Sequence, residues 1–428
     1  MVAELLQQVR LIDPVTNTDQ IVDVLLGEGR IWAIAEQISD FPSDAVIRGG
    51  HGQVLGPGLV DLYSHSGSPG HEERETLASL AKAAAAGGFT RIGILPDTCP
   101  ALDNPASIAW IIEQWQTLVG HGKQEKLPRL RPWAALTVGA KGQQMAELAE
   151  LASSQIIGFA DGQPLNNWNL VRRLLEYSQT LNQPIALWPC DANLAEHGTM
   201  REGLQSIQLG LPGMPTIAET AALSALLECV AAIGSPVHLM RLSTARGIEL
   251  VKTAKAQQIP VTASTTWMHL LLNSEAICHY DPNLHLNPPL GNPSDQQALI
   301  EAVIDGTLDA IAIDHTPYTY EEKTVAFAEA PPGVIGYELA LPLLWQTLVE
   351  TGQLSAVQLW RCLSSGPISC LGEQVRAISI GQATELTLFN PAAPWQATPE
   401  MLKSDAINTP WLGRSILGRV ETIWCSNF

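Results

Sequence analysis

Between Leu59 and Ile313, eight short apolar runs alternate with segments of helical period, and this alternation restricts the chain to very few folds. The runs are Leu59–Leu62, Phe89–Leu95, Trp133–Val138, Gln155–Phe159, Pro184–Trp188, Pro236–Met240, Ile259–Ala263 and Asp309–Ile313. Strands separated by helices imply βαβ units and a parallel sheet. Several helices carry their own punctuation. Asn104-Pro105 supplies a cap and a first-turn proline ahead of Ile108, Ile111, Ile112 and Trp115. Thr216 with Glu219 fits a capping box. The Ala-rich stretch after Arg74 stops at Gly87-Gly88. Eight such repeats predict an α/β fold of the (β/α)8 TIM-like barrel type, with chemistry at the C-terminal strand ends.

The two ends of the chain read differently. Gln8–Ile12, Ile21–Leu26 and Arg30–Ala35 are short β pieces, as are Ala377–Ile380, Glu385–Phe389 and Arg414–Trp424, with Pro391, Pro394 and Pro399 in the loop. Neither set buries a face alone, so both are expected to join in one small β-sandwich domain. The expected division is 1–55 with 375–428 for that domain and 56–374 for the barrel.

Composition narrows the partners. With 24 Lys and Arg against 43 Asp and Glu, the formal charge is −19, which argues against nucleic acid or an anionic membrane. Seven scattered cysteines without a C-x-x-C pair predict a reduced, cytoplasmic protein. No secretory signal is expected from Met1–Val15, and no window reaches 18 apolar residues. Ten histidines direct attention to metal chemistry.

The strand ends can be read in turn. Strand one ends in Asp61-Leu62-Tyr63-Ser64-His65, where alternation places Asp61, Tyr63 and His65 on one side. Strand two ends in Pro96-Asp97-Thr98, strand four in Asp161-Gly162, strand five at Trp188, strand six at Arg241, and strand eight in Asp314-His315-Thr316-Pro317. A binuclear metal centre needs four or five His or carboxylate donors and no guanidinium among them. Only His65, Asp161 and Asp314 qualify.

The chain resembles the dihydroorotase family of the amidohydrolase superfamily along nearly its whole length. The resemblance rests on Pro57–His65 followed by Pro69-Gly70-His71-Glu72-Glu73, then Pro96–Pro100, Asn287-Pro288-Pro289-Leu290, Asp314–Pro317, Ala330–Gly333 with Gly336-Tyr337-Glu338, and Asn408–Gly413. It implies a barrel flanked by a β domain from both termini, and a zinc-activated hydrolysis of a cyclic amide in pyrimidine biosynthesis. The same resemblance exposes the departures. Of the family's two metal-binding histidines on strand one, the first position is Tyr63 and the second is kept as His65. The family arginine that grips the substrate carboxylate is Gly67. The strand-five histidine is Trp188, and the strand-six histidine is Arg241, although the earlier His238 is retained. Asp161 is the match for the bridging carboxylate or lysine, and Asp314, the family proton shuttle and ligand, survives.

On the substrate side the family Asn is Asp97, the Arg after Pro-Pro-Leu is Gly291, and the last His of the strand-eight motif is Tyr318, while Asn287 is kept. A carboxylate about 5 Å from a bound anion costs roughly 3 kcal/mol at an effective dielectric near 20. That is about two decades of affinity for an anionic dihydroorotate. Arg241 is expected to pair with Asp314, supplying the charge that two metal ions would otherwise bring.

Other candidates carry less. Cys278, His279 and His285 fall in a loop after strand seven, Cys190 has no base beside it in sequence, and Ser64, Ser66 and Ser68 have no evident base. Trp188 and Trp267 are expected to fill the pocket with apolar bulk. Two functional expectations follow. One is a non-catalytic dihydroorotase-like scaffold with Asp314 idle and no cofactor, self-associating or partnering aspartate carbamoyltransferase, an enzyme that inactive family members hold. The alternative is an active dihydroorotase or related cyclic amidohydrolase with an altered zinc site, down to a single ion, on the surviving positions His65, Asp161 and Asp314.

Overall fold

The computed structural model describes residues 3–121, 126–181 and 183–425. Seven barrel strands form parallel ladders: Leu59–Ser64, Phe89–Ile94 and Arg129–Pro132 in one sheet, Ile185–Leu187, Val237–Leu239, Val261–Thr266 and Ala310–Ala312 in the other. Phe159 joins the two sheets, pairing in parallel with Ala134 on one side and Ile185 on the other. The ring closes where Asp314 N donates to Tyr63 O at 3.1 Å and His65 N to His315 O at 2.8 Å. The eight-stranded barrel is therefore present.

Two strands sit differently from the apolar pattern. The third ladder begins upstream of the apolar run, at Arg129, and the chain changes partner at Ala134, whose amide donates to Gly158 O at 2.9 Å. The apolar stretch marks what is buried, whereas the ladder also uses Arg131, whose guanidinium bonds Glu373. The fourth strand, expected over 155–159, is reduced to one residue, Phe159, bridged on both sides.

Strands from both ends of the chain make one seven-stranded sheet, in the order Ser415–Trp424, Leu386–Gln396, Val54–Pro57, Glu4–Asp13, Thr18–Gly27 and Arg30–Ala35, with Val46–Gly49 also paired to Glu4–Asp13. Leu6, Val9, Val24, Leu55, Leu388 and Trp424 form its core. The Ala377–Ile380 segment is not a strand. Pro391 and Pro394, expected in a loop, lie within Leu386–Gln396, where the register shifts between Asn390 and Pro394. A proline cannot donate to a ladder, and the shift accommodates that.

Helix ends follow local chemistry. Asn104 Oδ1 accepts from Ser107 N at 3.0 Å, and Leu77–Ala86 stops at Gly87. The capping box at Thr216 is absent, because Glu219 turns inward to accept from Ser243 Oγ at 2.6 Å and Thr244 Oγ1 at 2.5 Å. Buried tertiary donors outcompete the N-cap amide, which water can serve instead. Among the described residues, no helix is long and apolar enough to cross a membrane.

Candidate functional site: an ion pair at the mouth of the barrel

A cavity of about 230 Å³ opens at the C-terminal ends of the strands. His65, Gly67, Asp97, Trp188, Arg241, Asn287, Asp314 and Tyr318 all line it, so eight of the positions singled out in the sequence converge. Tyr63 lies beneath, fully buried. Asp161 does not join them. Its carboxylate accepts from Leu136 N at 2.8 Å, Thr137 N at 3.0 Å and Thr137 Oγ1 at 2.5 Å, which fastens the third strand end to the fourth. Asp61 is also elsewhere, held by Ser64 Oγ, Ile313 N and the Tyr337 hydroxyl. The pairing register shifts between Asp61 and Ser64, which breaks the simple alternation expected across Asp61, Tyr63 and His65.

Arg241 is the centre of the mouth. Its Nε and Nη2 bond both oxygens of Asp314, at 2.8 and 2.6 Å, in the fork geometry that planar guanidinium and carboxylate groups share. Nη1 donates to Gly162 O at 2.7 Å, and Nη2 also reaches His65 Nε2 at 3.0 Å. The guanidinium carbon lies 5.0 Å from the Trp188 ring centre and 5.6 Å from that of Tyr63. The Arg241 side chain is 3% exposed and that of Asp314 14%. Burial works against the Arg241 cation, but Asp314, Tyr63 and Asp97 together outweigh it and raise the pKa.

Tyr63 positions both partners. Its hydroxyl accepts from Arg241 N at 3.1 Å while its carbonyl accepts from Asp314 N. Those two residues have φ of 55° and 50°, in the left-handed region. Such conformations cost about 1–3 kcal/mol each and persist only where surrounding contacts fix them.

His65 extends the network through Nδ1, 2.7 Å from Asp97 Oδ2. Arg241 can only donate, so Nε2 accepts and the Nδ1 proton faces Asp97. Burial and the Arg241 charge oppose the imidazolium, yet Asp97 and Asp314 together hold the His65 pKa above its ordinary value. Burial pushes Asp97 up, and its contact with His65 and the nearby Arg241 charge pull it below the usual carboxylate range.

These donors do not suit a zinc ion. His65 Nε2 and Asp314 Oδ1 are 3.6 Å apart, but a guanidinium nitrogen stands within hydrogen-bond distance of both. Asp161, the third expected donor, is spent on strand-end amides. Among the described residues, no group of three or more His, Cys, Asp or Glu side chains is arranged to hold a metal. Cys278 is exposed and His285 Nδ1 bonds Ala330 O at 2.6 Å, so that loop gathers no ligand set either.

The two glycines that stand at family arginine positions are closed to side chains. A Cβ on Gly67 would lie 2.3 Å from Glu75 O and 2.6 Å from His71 O. One on Gly291 would lie 2.6 Å from Asp295 Cβ.

Sequence reasoning missed three features. Arg74 lines the mouth and is paired with Glu322, with Nη2 2.6 Å from Oε1; nothing local in sequence links residues 248 apart. The Gly162 carbonyl is a backbone group without a side-chain signature. His269 lines the same cavity, and burial pushes its pKa down to about 4.

Comparison with known proteins identifies the family and the fold. The Dihydro-orotase-like family model matches residues 52–246. A probable dihydroorotase-like protein of Synechocystis sp. is 43% identical, covering 96% of this chain and 97% of its own. A dihydroorotase of Syntrophus aciditrophicus is 36% identical, covering 97% and 96%. The chain belongs to the dihydroorotase family. Solved structures with the same fold include an L-hydantoinase of Arthrobacter aurescens, with TM-score 0.83, 18% identity and coverage of 100% of this chain and 98% of that one. A dihydropyrimidinase of Brevibacillus agri gives TM-score 0.80 at 18% identity, covering 99% and 94%. At that identity they speak for the fold alone, the amidohydrolase barrel with a small β domain at the termini.

Proposed function

We propose that this dihydroorotase-family chain is a non-catalytic member, which keeps the barrel and lacks zinc-dependent hydrolysis. The observation that carries the reading is the forked Arg241–Asp314 pair, with the same guanidinium bonded to His65. A zinc ion on His65 and Asp314 would have to displace a buried cation whose charge already neutralises the carboxylate. Catalytic zinc sites keep three protein donors and an open position for water. Here the retained donors are two, and the open position holds Arg241.

The substrate side supports the same reading. Gly67 and Gly291 replace anion-gripping arginines at places without room for a side chain. Asp97 adds a carboxylate that an anionic dihydroorotate would meet. Asp314 is then a structural partner of Arg241 rather than a proton shuttle. With chemistry gone, what remains is shape. A scaffold role follows, with aspartate carbamoyltransferase as the partner that the family resemblance implies, or with self-association. Co-purification of that enzyme with the tagged chain tests the partner, and its absence removes it.

The reading itself is tested by zinc content and dihydroorotate ring opening on one preparation. The competing reading is an active amidohydrolase with a single metal. Survival of His65 and Asp314 at adjoining strand ends favours it, and zinc with turnover would establish it.

A further inference from the structure

Resting on the metal-free reading above, we propose that the mouth cavity is a binding site for a small organic ammonium ion, opposite in charge to the anion that the family takes. The reason lies in what a ligand entering the cavity meets. Among the described residues that line it, the buried cation is Arg241, and that group offers almost nothing. Of its five N–H bonds, four point at acceptors already in place: two at Asp314, one at Gly162 O and one at His65 Nε2. The other cation, Arg74, is turned onto Glu322 through Nε and Nη2.

The carboxylates are less fully used. Asp97 has its side chain 24% exposed and gives only Oδ2 to His65. Its Oδ1 has no side-chain partner among the described residues. Asp314 is 14% exposed, and an ionised carboxylate has about four acceptor sites, of which Arg241 takes two. Among the charges lining the mouth, Arg241 is matched to Asp314 and Arg74 is taken by Glu322, so Asp97 is the carboxylate without a guanidinium hydrogen-bonded to it. The surroundings suit the rest of such a ligand, since Trp188, Trp267, Met268, Leu286, Pro288 and Val334 line the cavity. At about 230 Å³ it is smaller than the roughly 300–1,000 Å³ of drug-sized sites, so the ligand is compact.

Benzylammonium, benzyl alcohol and benzoate are suitable probes, being nearly isosteric and differing in charge. Titration of the full chain by calorimetry, with melting temperature as a second readout, should rank benzylammonium about tenfold or more above the other two. Asp97→Asn should erase at least that preference, while Glu249→Gln, an equal loss of negative charge on an exposed helix outside the cavity, changes affinity less than about twofold. Benzoate binding as tightly as benzylammonium, or no probe binding at millimolar concentration, overturns the inference. An unchanged preference in Asp97→Asn does the same, and the wild-type ranking stands as a test even if that variant folds poorly. Zinc assayed on the same sample separates the two levels. A zinc-free protein without ammonium preference refutes this inference alone, whereas bound zinc refutes the reading beneath it.

Discussion

Arg241→Met is the substitution that most directly probes the mouth. It keeps much of the side chain's length and removes the charge and all four hydrogen bonds to Asp314, Gly162 O and His65. Asp314 would be left 14% exposed with no counter-charge and with its backbone still at φ 50°. Removing one partner of a buried pair costs about 3–5 kcal/mol, most of it the penalty of the stranded charge. At roughly 2–4 °C per kcal/mol for a large domain, the melting temperature should fall by about 6–20 °C. Asp314→Asn alone should also destabilise, since it strands the guanidinium. The double variant should lose less than the sum of the two, with a coupling of at least about 1 kcal/mol, because the groups are in contact. Differential scanning calorimetry of the four proteins gives the cycle. A drop below about 2 °C in Arg241→Met, or additivity within about 0.5 kcal/mol, would show that the pair does not hold the mouth together.

Three other outcomes follow from the same contacts. Burial pushes Asp161 up to about 6, against the pull of its Thr137 and Leu136 donors, so folding favours its protonated form. That contribution is complete below about pH 4 and disappears as pH rises through about 6, a change of up to about 3 kcal/mol. In Asp161→Asn this part of the pH dependence should vanish, and urea midpoints that run parallel to wild type from pH 4 to 7 would contradict the assignment. Glu219→Ala leaves Ser243 N, Ser243 Oγ and Thr244 Oγ1 without their acceptor and should cost about 3 kcal/mol in thermal unfolding, with Glu219→Gln milder. Gly67→Ala should cost about 1–3 kcal/mol through collision with Glu75 O, and Gly67→Arg should not create dihydroorotate binding by calorimetry.

Much of the site is legible in the sequence because barrel topology fixes where strand ends go. Once eight strands are counted, Tyr63, His65, Trp188, Arg241 and Asp314 must face one mouth or lie just below it, and their residue types show that the metal donors are depleted. The charge argument carries further, since a lone arginine among carboxylates in an apolar barrel has few places to go but onto one of them. What the sequence hides depends on backbone detail. Asp61 escapes the mouth through a local register shift, and Asp161 through a strand reduced to one bridged residue, Phe159. The apparent capping box at Thr216 fails because Glu219 finds better donors from a different part of the chain, at Ser243 and Thr244. The role of Tyr63 in holding Arg241 and Asp314 through two different atoms is invisible without the fold. So is the closure of Gly67 and Gly291 to any side chain, which turns two absent arginines from substitutions into positions that the backbone no longer allows.

The central claim is that Arg241 stands where the family's zinc chemistry would be. Protein expressed with supplemented zinc and purified without chelators should carry well under about one zinc ion per chain by plasma mass spectrometry. The same sample should open or close the dihydroorotate ring no faster than buffer. About one or two bound zinc ions per chain together with turnover on the order of 1 per second, the low end of ordinary enzyme rates, would contradict the account.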